Sequence, residues 1–153
     1  MCGIAAYVGK RNALKVLLSA LERLEYRGYD SAGISIIQGG IKTFKTKGSV
    51  EDLRESIPQD IESHIGIGHT RWATHGVPST RNAHPHLDCK GMLAVVHNGI
   101  IENYASLKEE LEKRGHVFVS DTDTEVVAHL LEEKFKGDML EACLLYTSPS
   151  PRD

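Results

Sequence analysis

Leu14, Leu17, Leu18, Leu21 and Leu24 recur at intervals of three and four, which places them on one stripe of a helix from about Asn12 to Glu25. Ahead of them, Ile4, Ala6 and Val8 alternate as in a half-buried strand. "RGYDSAG" breaks the helical pattern, and "ISII" and "IKTFKT" on either side of Gly39-Gly40 predict a hairpin. Ser49 is placed to cap a short helix through Leu53. "HIGIGHTRWA" predicts a strand ending near Arg71, and "GMLAVVHNG" another ending at Asn98. A helix over about Asn103 to Arg114 follows, stopped by Gly115, and then a strand, "HVFVS". Thr122 and Glu125 form a capping-box pattern ahead of Val126, Val127, Leu130 and Leu131, predicting a further helix.

Strands and helices are interleaved, but the strands come both singly and in hairpin-like pairs. Periodicity therefore leaves α/β and α+β open, and we favour α+β. The last stretch, "YTSPSPRD", is rich in Pro and Ser and poor in apolar residues, so we expect it to stay outside any core.

A chain of 153 residues, 41% hydrophobic and 25% charged, is long enough to bury a core as one domain. Its formal charge of -3, with basic and acidic residues interspersed, supplies no basic stripe, which argues against nucleic acid as a partner. No apolar run reaches the roughly 20 residues of a membrane span, so no membrane association is expected. The three cysteines, Cys2, Cys89 and Cys143, are widely spaced, without a C-x-x-C pair. That pattern fits reduced thiols in a cytoplasm.

Cys2 raises the question of chemistry. Removal of Met1 gives Cys2 a free α-amine; such amines have reference pKa values of about 7.7–8.0 and thiols about 8.5, so proton exchange between them is nearly balanced. An amine in that position can serve its own side chain as general base. From Cys2 alone, an ordinary packed strand cysteine is the simpler reading. "HTRWATHG" sets Arg71, Trp72, Thr74 and His75 at a strand end, where a guanidinium fork suits either a bound carboxylate or a local acid. "HNG" offers the Asn98 side-chain amide and the Gly99 backbone N–H, two donors of the kind an oxyanion needs, or else a plain turn. His84 and His86 in "NAHPH" lack a third ligand at metal-binding spacing, so no metal is expected. No phosphate-binding glycine pattern occurs, and no cofactor is expected.

Taken in order, "MCGI", "RLEYRGYDSAGI", "HTRWATHG", "NAHPH", "VVHNGIIENY" and "SDTDTEV" resemble the class II glutamine amidotransferase domain of the glutamine:fructose-6-phosphate aminotransferase (glucosamine-6-phosphate synthase) family. The resemblance covers residues 1 to about 142. It implies an N-terminal-nucleophile hydrolase fold, a four-layer αββα sandwich of antiparallel sheets. It further implies L-glutamine as substrate, with Cys2 as nucleophile and Asn98 and Gly99 as the oxyanion hole. Arg71, with Thr74 and His75 beside it, would take the α-carboxylate, and Asp123 the α-ammonium. Arg27 would support the N-terminal segment, and Trp72 would stand between the site and an ammonia tunnel. Ammonia would pass to fructose 6-phosphate on a sugar isomerase domain absent from this chain, in a full-length enzyme that is a homodimer.

The resemblance stops near residue 142, so residues 1–142 read as a partial domain and 143–153 as an atypical tail, disordered or foreign. On that reading sheet edges stay unpaired, and we expect an isolated chain that folds poorly or hydrolyses glutamine weakly and makes no amino sugar. A glutaminase domain from another class II amidotransferase, and a non-catalytic glutamine sensor, are the alternatives.

Overall fold

The computed structural model describes residues 1–73 and 75–139. Thr74 and the tail from 140 onward therefore lie outside the described residues. Four strands form one antiparallel sheet: β1 (Gly3–Val8), β2 (Ser31–Ile37), β3 (Ile41–Lys47) and β4 (Ile65–Arg71), in the spatial order β1-β4-β2-β3. β2 and β3 are the expected hairpin, but β2 begins at Ser31, so "SAG" belongs to the strand rather than to the break before it.

Helix α1 (Ala13–Leu24) starts where the Asn12 side chain accepts the Leu14 N–H at 3.0 Å. It buries Leu14, Leu17, Leu18 and Leu21 against the sheet. Opposite them lie Ile34 and Ile36 of β2, and Val50 and Leu53 of α2 (Val50–Ser56) complete the same core. Helix α2 is held at its start by a capping box, Ser49 with Asp52, which answers two of its free N–H groups.

Alternation along β4 decides what lies on the other face. Gly66 and Gly68 sit beneath Leu17 and Leu21 of α1, so His69 and Arg71 point away from that helix. There a two-stranded antiparallel ladder, β5 (His86–Leu87) with β6 (Ala94–Val95), forms the second sheet. The two layers meet at Gly33, which pairs with His69 across β2 and β4. A Cβ at Gly33 would overlap the His84 carbonyl oxygen, and the His84 ring stacks on His69 at 4.2 Å. Helix α4 (Glu125–Lys134) packs on the small ladder through Leu131 and Val127, and α3 (Tyr104–Lys113) packs on α4. Helix, sheet, sheet, helix is the αββα order of the expected α+β fold.

Three expectations from the pattern are corrected. "GMLAVVHNG" forms only the two-residue β6: its partner β5 follows Pro85, which has no N–H to donate, and the Asp88 carboxylate takes the Met92 and Leu93 N–H groups. "HVFVS" is not a strand, because side chains take its backbone donors. Val117 N–H bonds to Cys89 Sγ, and the Val119 and Ser120 N–H groups bond to the Glu125 carboxylate. The Thr122–Glu125 capping box is absent as well. Thr124 is the residue before α4 and makes no side-chain cap, Thr122 Oγ1 lies 2.7 Å from His86 Nε2, and Glu125 reaches back to residues 119 and 120.

Candidate active site

The face of the sheet turned from α1 opens at one end into a cleft of about 440 Å³. β1 brings Cys2 there, because its register with β4 sets Gly3 opposite Thr70, and the Thr70 hydroxyl accepts the Gly3 N–H at 3.2 Å. The Trp72 N–H donates to Cys2 Sγ at 3.1 Å. Cys2, Arg27, Arg71, Trp72, His75, Asn98, Gly99 and Asp123 all line this cleft. Of the candidate site residues only Thr74 lies outside the description.

Asn98 is fixed at both ends of its amide. Its Oδ1 lies 2.7 Å from His69 Nε2, and its Nδ2 donates to the Cys2 carbonyl at 3.2 Å. Burial pulls the His69 pKa down to about 4, so the ring is neutral at pH 7 and its single N–H serves Asn98. Gly99 follows with φ near +150°, and a Cβ there would stand 3.0 Å from the His97 ring. Only glycine therefore places this N–H without strain.

Arg71 is buried at the end of β4. Its Nη2 donates to the His75 and Gly76 carbonyls, the latter at 3.0 Å, and Nη1 reaches the Val77 carbonyl at 3.5 Å. The guanidinium thus holds the 75–77 loop while its positive charge stays at the cleft wall. Burial lowers its proton affinity, and the fields of Asp30, Cys2 and Asp123 oppose that. Asp123, also buried, accepts the Ile101 N–H at 2.7 Å and lies 4.0 Å from His75 Nδ1. One cation and one anion therefore line the same cavity, an arrangement matched to a small zwitterion.

Arg27 accepts the Met1 ammonium on its carbonyl oxygen at 3.0 Å. Trp72 is 54% exposed and forms the rim of the cleft. The pattern of the sequence missed His69, His84, His97, Thr122 and Thr124. His84, His97, Thr122 and Thr124 line the cleft, and His69 stands behind Asn98. His84 and His86, read only as metal candidates, are packing groups between the layers. Burial depresses the pKa of both, that of His86 to about 3. One signal was available: residues 69 and 71 of β4 share a face, so His69 follows Arg71 into the site.

The sequence matches the glutamine amidotransferase domain family over residues 57–144. The isomerizing glutamine–fructose-6-phosphate aminotransferase of Thermotoga maritima is 55% identical over 146 residues, covering 94% of this chain and 24% of that protein. The corresponding protein of Aquifex aeolicus is 58% identical over 146 residues, with 94% and 25% covered. Among solved structures, the glutamine phosphoribosylpyrophosphate amidotransferase of B. subtilis, complexed with ADP and GMP, superimposes with a TM-score of 0.76 at 27% identity. It covers 93% of this chain and 31% of that one. The chain spans about a quarter of the length of the curated relatives it matches.

Proposed function

Since the chain belongs to the glutamine amidotransferase domain family, we propose that its cleft hydrolyses L-glutamine to glutamate and ammonia through a thioester on Cys2. The single observation carrying this reading is the meeting of Cys2, Asn98, Gly99, Arg71 and Asp123 around one cavity, from segments as far apart as residues 2 and 123.

Arg71 supplies the positive charge for the α-carboxylate of glutamine, and Asp123 the negative charge for the α-ammonium. Glutamine held between them presents its side-chain amide to Cys2 Sγ. Once Met1 is removed, the Cys2 α-amine takes the thiol proton, and the thiolate adds to the amide carbon. The carbonyl oxygen becomes an oxyanion, for which the Asn98 Nδ2 and Gly99 N–H groups are the donors. Collapse returns the proton to the leaving nitrogen and breaks the C–N bond, so ammonia departs. Water then adds to the thioester, and glutamate leaves as the thiol re-forms. The names of the relatives support fructose 6-phosphate as the acceptor of the ammonia, with the sugar chemistry in the part of those proteins this chain does not span; the family resemblance extends the proposal to a homodimer in the cytoplasm as the working form.

Glutamate release from glutamine by Met1-processed chain, compared with its Cys2→Ala variant, is the test. The reading expects ammonia and glutamate from the processed chain, none from the variant, and a covalent mass increase on the N-terminal peptide after treatment with an electrophilic glutamine analogue. A folded, processed chain that binds glutamine without hydrolysing it, and that leaves the analogue unreacted, would show a sensor instead.

A further inference from the structure

Away from the cleft, four side chains converge where α4 meets the turn between β5 and β6 and the segment after α3. Cys89 comes from that turn, His116 from the segment, and His129 and Glu132 from one face of α4. One ligand atom from each lies within 4.8 Å of all the others. Cys89 Sγ is 3.4 Å from His129 Nδ1 and 3.7 Å from His116 Nδ1, and the two Nδ1 atoms are 3.2 Å apart. Glu132 Oε2 is 2.9 Å from His116 Nδ1 and 3.7 Å from His129 Nδ1. A tetrahedral zinc ion, with bonds of about 2.05 Å to nitrogen and about 2.3 Å to sulfur, holds two nitrogens about 3.3 Å apart and a nitrogen and a sulfur about 3.5 Å apart. The two nitrogens, 3.2 Å apart and 3.4 and 3.7 Å from Cys89 Sγ, lie close to those values.

Proton placement leads to the same place. His129 Nε2 is 3.1 Å from Glu125 Oε1, and His116 Nε2 is 3.2 Å from Glu133 Oε1. A carboxylate on Nε2 keeps the ring proton there, which leaves Nδ1 as a bare lone pair and makes it the better metal ligand. Both lone pairs then face each other and Glu132 Oε2, which is buried without a hydrogen-bond partner. The Val117 N–H donates to Cys89 Sγ at 3.4 Å, which fixes the sulfur beside the two rings. Lone pairs and negative charge gathered at one point call for a cation between them.

The geometry points to a divalent transition-metal site, of the zinc class, formed by Cys89, His116, His129 and Glu132. Thiolate and imidazole donors select zinc over magnesium or calcium, and four protein ligands leave no open position, so the site is structural. None of the four lines the cleft. The metal would clamp α4 to two loops, and the residues just before α4 carry Asp123 and Thr124 into the cleft. The expectation of no metal rested on His84 and His86. These ligands escaped it because they stand 27, 13 and 3 residues apart, outside any short motif.

Untagged full chain, stripped with chelator and titrated with Zn(II), with Co(II) as spectroscopic probe, is the test. About one metal ion per chain is expected to survive gel filtration. Co(II) should give the intense visible bands of a tetrahedral site with a near-ultraviolet thiolate charge-transfer band, both displaced by zinc. Cys89→Ser, at an exposed position, should abolish the charge-transfer band and weaken zinc binding about 10- to 100-fold. Cys2→Ser and Cys143→Ser should retain the band. Zinc should also raise the thermal midpoint of the parent chain by more than that of Cys89→Ser at the same concentration. Absence of stoichiometric binding, a weak octahedral cobalt spectrum, or a thiolate band that survives Cys89→Ser would each overturn the assignment.

Discussion

His69 stands behind Asn98 and aims it: the imidazole Nε2 lies 2.7 Å from Asn98 Oδ1, which leaves only the Asn98 N–H₂ end turned toward Cys2. The amide is thereby oriented before any substrate arrives, so in the proposed mechanism its dipole needs no reorganisation as charge develops. Asn98→Ala is expected to lower the turnover of glutamine by about 10²- to 10³-fold. Steady-state kinetics check this, and unchanged turnover would remove Asn98 from the oxyanion hole.

His69→Phe keeps a flat ring against His84 but deletes the donor to Asn98. A neutral hydrogen bond contributes about 1 kcal/mol, so kcat should fall about five- to tenfold with KM nearly unchanged. A KM effect of equal size would instead point to collapse of the stacked layer.

Asp123→Asn keeps an oxygen to accept the Ile101 N–H while removing the charge. Hydrogen bonds to charged groups are worth about 1.5–3 kcal/mol, so KM for glutamine should rise about 10- to 100-fold with a smaller change in kcat. An analogue lacking the α-ammonium should discriminate far less between parent and variant.

Acid should unfold the chain early. His69, His84 and His86 are buried and neutral in the folded state, their pKa values pulled below the ordinary 6.5 by burial. Above pH 6.5 neither folded nor unfolded rings carry the proton, and this contribution is constant. As the pH falls from about 6.5 toward 4, the unfolded chain takes up protons that the folded one refuses. Each histidine then removes roughly 1.4 kcal/mol per pH unit. Urea melts between pH 7 and pH 4.5 measure this, and a flat profile would contradict the buried stack.

Glu125 anchors the start of α4. Burial alone would push its carboxyl up, but bonds from His129, from Ser120 and from the Val119 and Ser120 amides hold it down at about 2. Glu125→Ala leaves those donors buried without an acceptor and should cost about 3–5 kcal/mol in denaturant unfolding. A loss below about 1 kcal/mol would mean the segment finds other partners.

What could be read from the sequence was what rests on periodicity or on one residue's own chemistry. The stripe of α1 and the alternation of β4 were plain because each is repeated over several turns or pleats. "HVFVS" alternates as a strand should, yet its donors go to a thiol and a carboxylate brought from residues 89 and 125, which no local window contains. The pocket residues were legible as separate short motifs. His69 was legible only as sharing a strand face with Arg71, and the Cys89 cluster not at all, because its ligands meet only through long-range contact.

The contact at Gly33 has a reach beyond packing. Any side chain there would act as a wedge under the His84 backbone, tilting the stacked His69 ring and with it the amide aimed at Cys2. A mutational survey should then score this strand glycine, which does not line the cleft, as severely as the proposed catalytic residues.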